Sequence, residues 1–388
     1  MAVGPRAAVP VTQIPPQWRY SVNDANGPTR PDLVHPHPVP DDGTHGLNRQ
    51  VYSARSAESI HPQATNEAFA DAPLVTVCVF PHCGEYFQGV IEAANGSIRR
   101  CLITQMASGF HCRVELYRTI HPTLVCVPAE RTKALRAAEL TSVALSGDHA
   151  DTAGLLLRIR SDVPVGLGAG SSSSDCLAAS RAIQKYHRRR LSPEAEYRIC
   201  VAAENATDPI MFDRCVLAAQ REGRAIADLG PLPHLIAVTF DSDPLGRGVD
   251  TDRHPRARYN RDEIERLRTL LARLTLAVRT GDLEAIGLVS AQSAAINQRH
   301  LQNSAYWYLQ NAPARLGSVG FSVAHSGTAA SLLFDPSDRA TPAAVDQCLT
   351  ELRRMGYRRT WVHQTAPPDD HDDANCPLSS TNYRGDVA

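Results

Sequence analysis

The stretch Pro164-Val165-Gly166-Leu167-Gly168-Ala169-Gly170-Ser171-Ser172-Ser173-Ser174-Asp175 constrains this chain more than any other. Three glycines and four serines lead into a helical pattern in which Cys176, Ala179, Ile183 and Tyr186 recur at intervals of three and four and share one face. Glycine admits positive φ and close backbone approach to a ligand, while the first amides of a helix have no internal acceptor. Those amides lie at the positive end of the helix macrodipole, equivalent to about half an elementary charge, so the segment is suited to cradling a phosphate chain. Serine hydroxyls add neutral donors and can ligate the Mg²⁺ that accompanies a nucleotide. No Gly-Lys-Ser/Thr follows, so this is not a P-loop, and glycines at 166, 168 and 170 do not form the dinucleotide fingerprint. On pattern alone, a flexible Gly/Ser linker is the competing reading.

A second constellation follows. Ser192-Pro193-Glu194-Ala195-Glu196 starts a helix with a capping serine, proline at the first position and acids in the first turn; Pro209 limits its far end. That helix carries Glu204-Asn205-Ala206-Thr207-Asp208, and residues four apart lie on one helix face, so Glu204 and Asp208 point into one cleft if helicity persists that far. Two carboxylates suit phosphoryl transfer, one holding Mg²⁺ and the other accepting an alcohol proton. The plainer alternative is a frayed helix end followed by an Asp-Pro turn.

With 388 residues, 43% of them hydrophobic, the chain suggests about two domains with real cores. Formal net charge is −1, from 40 basic and 41 acidic side chains, so no global field recruits nucleic acid or an anionic membrane. Arg188-Arg189-Arg190 follows the serine-led helix, where cations complement the helix end. No run of apolar residues is long enough to span a bilayer. Ten cysteines without a Cys-x-x-Cys pair or a secretory signal point to reduced thiols and a cytoplasmic protein; Cys78, Cys176 and Cys200 read as small core residues.

Nine of the 27 prolines fall in the first 50 positions, and residues 1–72 read as a disordered extension in which His35, His37, His45 and His61 match no metal-ligand spacing. Residues 366–388 read as a second loose end. Order is expected to begin with a buried strand at 74–80 that Pro81 stops, with further strands at 111–117, 123–127 and 155–160. Beyond residue 230 the pattern gives a strand at 234–240 and helices at 263–279, 282–299 and about 302–312. Strand, Gly-containing turn and strand follow over 318–334, then a helix at 342–355 and a last strand at 359–363. Strands alternating with helices fit an α+β sandwich with a ferredoxin-like arrangement.

The glycine-serine block resembles motif 2 of the GHMP kinases (galactose, homoserine, mevalonate and phosphomevalonate kinases), with Pro164, Gly168, Gly170, Ser171 and Ser172 on its fixed positions. Over residues 75–363 the chain looks more closely like the L-threonine kinases of cobalamin biosynthesis and propanediol utilisation. Cys83-Gly84-Glu85-Tyr86-Phe87-Gln88-Gly89 is similar to that group's Cys-Gly-Glu-x-x-Gln-Gly, and Val323-Ala324-His325-Ser326-Gly327-Thr328 to its motif 3. Two departures stand out: Val79-Phe80-Pro81-His82 precedes Cys83 where relatives have Cys-Pro-x-Ser, and Gly-Ala-Gly stands in the cradle where many have Gly-Met-Ala.

The resemblance implies an α+β, two-domain GHMP kinase fold: a ribosomal protein S5 domain 2-like ATP-binding domain at 73–229 and a ferredoxin-like domain at 230–365. It implies an ATP- and Mg²⁺-dependent kinase that phosphorylates the hydroxyl of a small amino acid, first of all L-threonine. Homoserine or another hydroxylated intermediate is the alternative substrate, and a non-catalytic ligand sensor on the same fold the alternative function. Pro164, Gly166, Gly168, Ala169, Gly170, Ser171, Ser172 and Ser173 would hold ATP, Ser172 and Glu204 the metal, and Asp208 would deprotonate or orient the hydroxyl. Cys83, Gly84, Glu85, Gln88, His325, Ser326 and Gly327 fall to the substrate side, with Glu85 meeting an ammonium and Gln88 a carboxylate. His325 also reads as a packed turn histidine. Neither nucleic acid nor membrane is expected as a partner, and homodimerisation is left open.

Overall fold

The computed structural model describes residues 72–93, 95–146, 150–243, 245 and 257–366. The expected extension and tail lie outside these, but for one residue each. In chain order the strands are β1 (Val75–Val79), β2 (His82–Glu92), β3 (Ile98–Met106), β4 (Cys112–Arg118), β5 (Val125–Val127), β6 (Leu155–Ser161), β7 (Arg214–Ala219), β8 (Arg224–Pro231), β9 (Ile236–Asp241), β10 (Gly320–Val323), β11 (Ala329–Phe334) and β12 (Thr360–Gln364). The helices are α1 (Thr132–Ser146), α2 (Ser171–Tyr186), α3 (Pro193–Glu204), α4 (Arg261–Thr280), α5 (Leu283–Asn297), α6 (Tyr306–Leu316) and α7 (Thr341–Arg354).

Three four-stranded sheets result, ordered β1-β4-β6-β5, β2-β3-β7-β8 and β10-β11-β9-β12. In β6, Leu155, Leu157 and Ile159 are buried and alternate with less buried Leu156, Arg158 and Arg160, the period-two pattern of a strand with one face on a core. Helices α1, α2 and α3 cover that face, bringing Leu177, Ala178, Ile183, Tyr197 and Cys200 onto Val77, Val114, Leu116 and Leu157. Each fully buried aliphatic side chain contributes roughly 1.5–3 kcal/mol, so this cluster fixes the start of α2 within the fold. A two-pronged ion pair from Arg181 to Glu196, with Gln184 also donating to Glu196, ties α2 to α3.

Helices α4 and α5 pack on β2, and the hydroxyls of Ser290 and Ser293 donate to the carbonyls of Glu85 and Gln88. A capping box between Asn260 and Glu263 opens α4, Gly281 ends it in the left-handed region, and Asp282 caps α5; such a cap contributes about 1 kcal/mol. In the third sheet Phe240, Phe321 and Leu332 meet Tyr308, Leu309 and Leu352 of α6 and α7. The mixed α+β architecture agrees with the sequence expectation. The expected boundary at 229/230 falls inside β8 (Arg224–Pro231).

Several elements arrive within a few residues of their expected limits, among them β1, β4, β6, α4, β11 and β12. Helix α6 is displaced, starting at Tyr306 and continuing through Pro313 to Leu316. Among the described residues eight cysteines are free, in keeping with reduced thiols, but Cys78 departs from that expectation, being disulfide-bonded. Among the described residues, no helix is long and apolar enough to cross a membrane.

Candidate active site

Helix α2 begins on Gly170, which has φ 67° and supplies no side-chain cap; Gly166 and Gly168 also take positive φ, 81° and 75°. These three left-handed positions lead into α2, whose first amides have no acceptor within the helix, as an anion cradle requires. The loop is locked from one side by the β10–β11 turn. A Cβ on Gly327 would lie 2.1 Å from the Leu167 carbonyl oxygen, and one on Gly168 would lie 2.5 Å from that of Ser326. Ala329 N–H donates to Leu167 O at 2.9 Å. The blocks matching motifs 2 and 3 therefore meet backbone to backbone, which only glycine permits at 168 and 327.

Glu204 and Asp208 come together, but not as neighbours on a helix. Helix α3 ends at Glu204 because Asn205 enters the left-handed region at φ 68°, so Asp208 sits in the following loop. That loop is held by Thr207 N–H to Gln220 O, Tyr197 Oη to Thr207 O and Ile210 N–H to Asp208 O. Ser173 bridges the two acids: its hydroxyl lies 2.9 Å from Glu204 Oε1 and 3.5 Å from Asp208 Oδ2. Burial raises the Glu204 carboxyl above its ordinary range, against the hydroxyls of Ser172 and Ser173, which pull it down.

The first strand of the second sheet supplies the rest. Residues 82 and 85 would face opposite sides of a regular strand, yet the β2–β3 ladder shifts register between His82 and Glu85 and again before Phe87. Gly84, at φ 89°, packs so closely that a Cβ would lie 2.6 Å from Ser322 Oγ. The irregularity turns both side chains toward Asp208. His82 Nε2 lies 2.7 Å from Asp208 Oδ2, and His325 Nδ1 lies 2.7 Å from Glu85 Oε1. The longer edges of the quartet, His82 to Glu85 and His325 to Asp208, are both 3.8 Å.

Charge follows from this ring of alternating acids and imidazoles. Burial would raise the Asp208 carboxyl, but the charges of His82 and His325 and hydrogen bonds from His82 and Ser173 outweigh it and hold it down to about 2. Burial likewise works against imidazolium at both histidines, and the neighbouring carboxylates overcome it: His82 is raised, and His325 is raised to about 9 by Glu85 and Asp208.

Other expected site residues have different surroundings. Cys83 lies in the apolar cluster with Phe110, Leu167, Ala169 and Ala324, its thiol pushed up to about 12 by burial and then by Glu85; it packs the cradle from behind. The Gln88 side chain donates to the Val323 carbonyl at 3.3 Å, and Glu85 faces His325 Nδ1 through Oε1 while its Oε2 has no hydrogen-bond partner. Pro164, Gly166, Ser171, Ser172 and Ser326 are partly exposed along the loop and its facing turn. His82 was not among the expected site residues; its signal was the departure from the related motif immediately before Cys83.

Residues 132–212, from α1 through the Asp208 loop, match the family model described as the GHMP kinases N terminal domain. That match spans about a fifth of the chain. No curated protein matches it in sequence. Among solved structures, the chain is similar to mevalonate kinase of L. major in complex with R-mevalonate, at 16% identity and a TM-score of 0.55, covering 76% of this chain and 98% of that one. It is also similar to homoserine kinase from Cytophaga hutchinsonii ATCC 33406 (12% identity, TM-score 0.53, 75% and 95% covered). Mevalonate pyrophosphate decarboxylase from Streptococcus pyogenes is a third (13% identity, TM-score 0.54, 77% and 99% covered). At such identities the likeness carries the fold alone, and a decarboxylase among the neighbours shows why substrate has to be argued from the site.

Proposed function

We propose that this protein is a GHMP-type kinase that transfers the γ-phosphoryl group of ATP to the side-chain hydroxyl of a small amino acid, L-threonine giving O-phospho-L-threonine. The observation that carries the reading is Ser173: at the start of α2, its hydroxyl touches Glu204 on one side and Asp208 on the other. Phosphate cradle, metal-binding carboxylate and hydroxyl-facing carboxylate are thereby within one side chain of each other.

The residues fit a nucleotide and its metal. Three left-handed glycines leave no side chain between the loop backbone and a phosphate, and the raised, buried Glu204 carboxyl is one whose charge a divalent cation would offset. Gly168, Gly170, Ser171 and Ser172 would present backbone and hydroxyl donors to the phosphates, and Ser172 and Glu204 would hold Mg²⁺. When bound, the metal supplies neutralisation of charge on the transferring group.

Asp208 accepts a hydrogen bond from the acceptor hydroxyl and aims its oxygen at phosphorus. A carboxylate held near 2 is a weak base. Phosphoryl transfer tolerates this, because the hydroxyl proton leaves late, as the new P–O bond forms and ADP departs. His82 keeps Asp208 ionised and fixed, while His325, carried on the turn that closes over the cradle, places positive charge beside the forming bond.

The reading is tested by incubating the protein with ATP, Mg²⁺ and a panel of L-threonine, L-serine, L-homoserine and non-amino-acid alcohols, following ADP. Turnover with the hydroxy amino acids alone supports it. ATP binding without turnover on any member would instead support a ligand sensor on the same fold.

A further inference from the structure

The quartet around Asp208 contains more buried polar atoms than its own hydrogen bonds satisfy. His82, Glu85 and Asp208 are 1%, 1% and 6% exposed, and His82 Nδ1, Glu85 Oε2 and Asp208 Oδ1 have no hydrogen-bond partner. Donor atoms of these three residues lie within 4.8 Å of one another. His325 Nδ1 is within 3.8 Å of both carboxylates, and its ring lies 6.4 Å from that of His82.

We infer that in the nucleotide-free protein His82, Glu85 and Asp208, with His325 as a fourth donor, form a binding site for a first-row divalent transition ion that takes the place of the two imidazolium protons, separate from the Mg²⁺ position at Ser172 and Glu204. Two buried carboxylates need two positive charges nearby. Two imidazolium protons can supply them, and so can one divalent ion between neutral imidazoles. The protons leave the three atoms just named unpartnered, whereas a bound ion can draw on nitrogen lone pairs and on the second oxygen of each carboxylate. A mixed imidazole and carboxylate set suits Zn²⁺, Mn²⁺ or Co²⁺, while Mg²⁺ prefers oxygen and retained water. The donors also come from separate segments, the bulged start of β2, the loop after α3 and the β10–β11 turn, so the site exists only in the folded chain. An ion held there would join the strand to the turn that covers the cradle.

Chelator-treated full-length protein, without nucleotide and with Mg²⁺ in large excess, is titrated with Zn²⁺ by calorimetry and by equilibrium dialysis. One equivalent of Zn²⁺ per chain is expected. His82→Asn and Glu85→Gln should each weaken it by roughly 100-fold or more, given that even partners behind a ligand are worth 10–100-fold. His121→Ala, at an exposed histidine outside the cluster, should leave it unchanged. Absence of stoichiometric binding, or equal binding by both cluster variants with unaltered melts, would overturn the inference. Because a variant can fail to fold, Co²⁺ is also added to the unaltered protein: an intense four- or five-coordinate absorption is expected, and the weak spectrum of an all-oxygen octahedral ion would equally overturn it. These readouts use no ATP, so failure of the kinase reading and failure of the metal site are told apart.

Discussion

His82 Nε2 lies 2.7 Å from Asp208 Oδ2, and the ring edge of the same histidine stands where a Cβ on Gly170 would be, 2.3 Å from its Cδ2. One imidazole thus touches Asp208 and packs against the N-cap residue of α2, on the loop proposed to cradle phosphate. Substituting Gly170 consequently does not probe the phosphate alone: Gly170→Val would strain a left-handed backbone and displace His82.

His82→Asn removes the charge that holds the Asp208 carboxyl down while keeping a side chain of similar reach. The expected outcome is a fall in kcat on the order of 10²-fold or more with ATP affinity nearly unchanged. The acid side of the pH–rate profile should also move upward, because Asp208 then protonates closer to the ordinary carboxylate range. A profile and kcat equal to those of the unaltered protein would remove His82 from the site.

Much of this arrangement was legible in the sequence. The glycines at 166, 168 and 170 announced the cradle because positive φ at alternate positions is a backbone need that few other residues meet. Alternation in β6 and the three- and four-residue spacing in α4 gave those elements directly. Strand β2 was missed because Cys83-Gly84-Glu85-Tyr86-Phe87-Gln88 is buried almost throughout and has no alternation to detect. Helix α1 was missed as well, although Ala134, Ala137, Ala138 and Thr141 share its buried face at helical spacing. The register shift that brings His82 and Glu85 to one side depends on Gly84 packing against Ser322, more than 230 positions away, and no local pattern encodes it.

Glu204→Gln should raise the metal concentration needed for half-maximal rate, since a neutral amide is a poorer ligand for a hard cation. Because the buried Glu204 carboxyl is raised, the unaltered enzyme should itself need more Mg²⁺ as pH falls, starting at a milder pH than an ordinary glutamate would give. That shift should vanish in the Gln variant. Measuring rate against Mg²⁺ at several pH values checks both; should the metal defect appear in Asp208→Asn instead, the two acids exchange roles.

Gly327→Ala places a methyl group against the Leu167 carbonyl, which is backbone and cannot swing aside. Overpacking of this kind costs about 1–3 kcal/mol. The expected result is a lower melting temperature together with weaker ATP binding, since the turn and the cradle must separate to admit the methyl group. Isothermal titration with ATP and a thermal melt suffice; intact ATP affinity in a stably folded variant would show that the turn does not brace the cradle.

Stability of the chelator-treated protein should depend on pH in two windows. His325 is raised to about 9 from an ordinary 6.5, so its contribution is complete below about 6.5 and is lost as pH climbs through 9; His82 is raised as well and loses its contribution in the same direction. Asp208 is lowered to about 2 from 3.8, so its contribution is present above 3.8 and lost as pH falls toward 2. Melting temperature against pH should decline on both sides, and His325→Asn should flatten the alkaline decline.

The central claim is that the Ser173-linked carboxylates serve phosphoryl transfer to an amino-acid hydroxyl, and product identity tests it most directly. Mg²⁺, ATP and L-threonine are incubated with the unaltered protein and with Asp208→Asn, and the amino acid is analysed by phosphorus NMR and mass spectrometry. The account predicts ADP and O-phospho-L-threonine in equal amounts from the unaltered protein, with the rate reduced on the order of 10²–10⁴-fold in the variant. Full activity in Asp208→Asn, or ATP binding with no phosphorylated amino acid from any hydroxylated member of the panel, would contradict it.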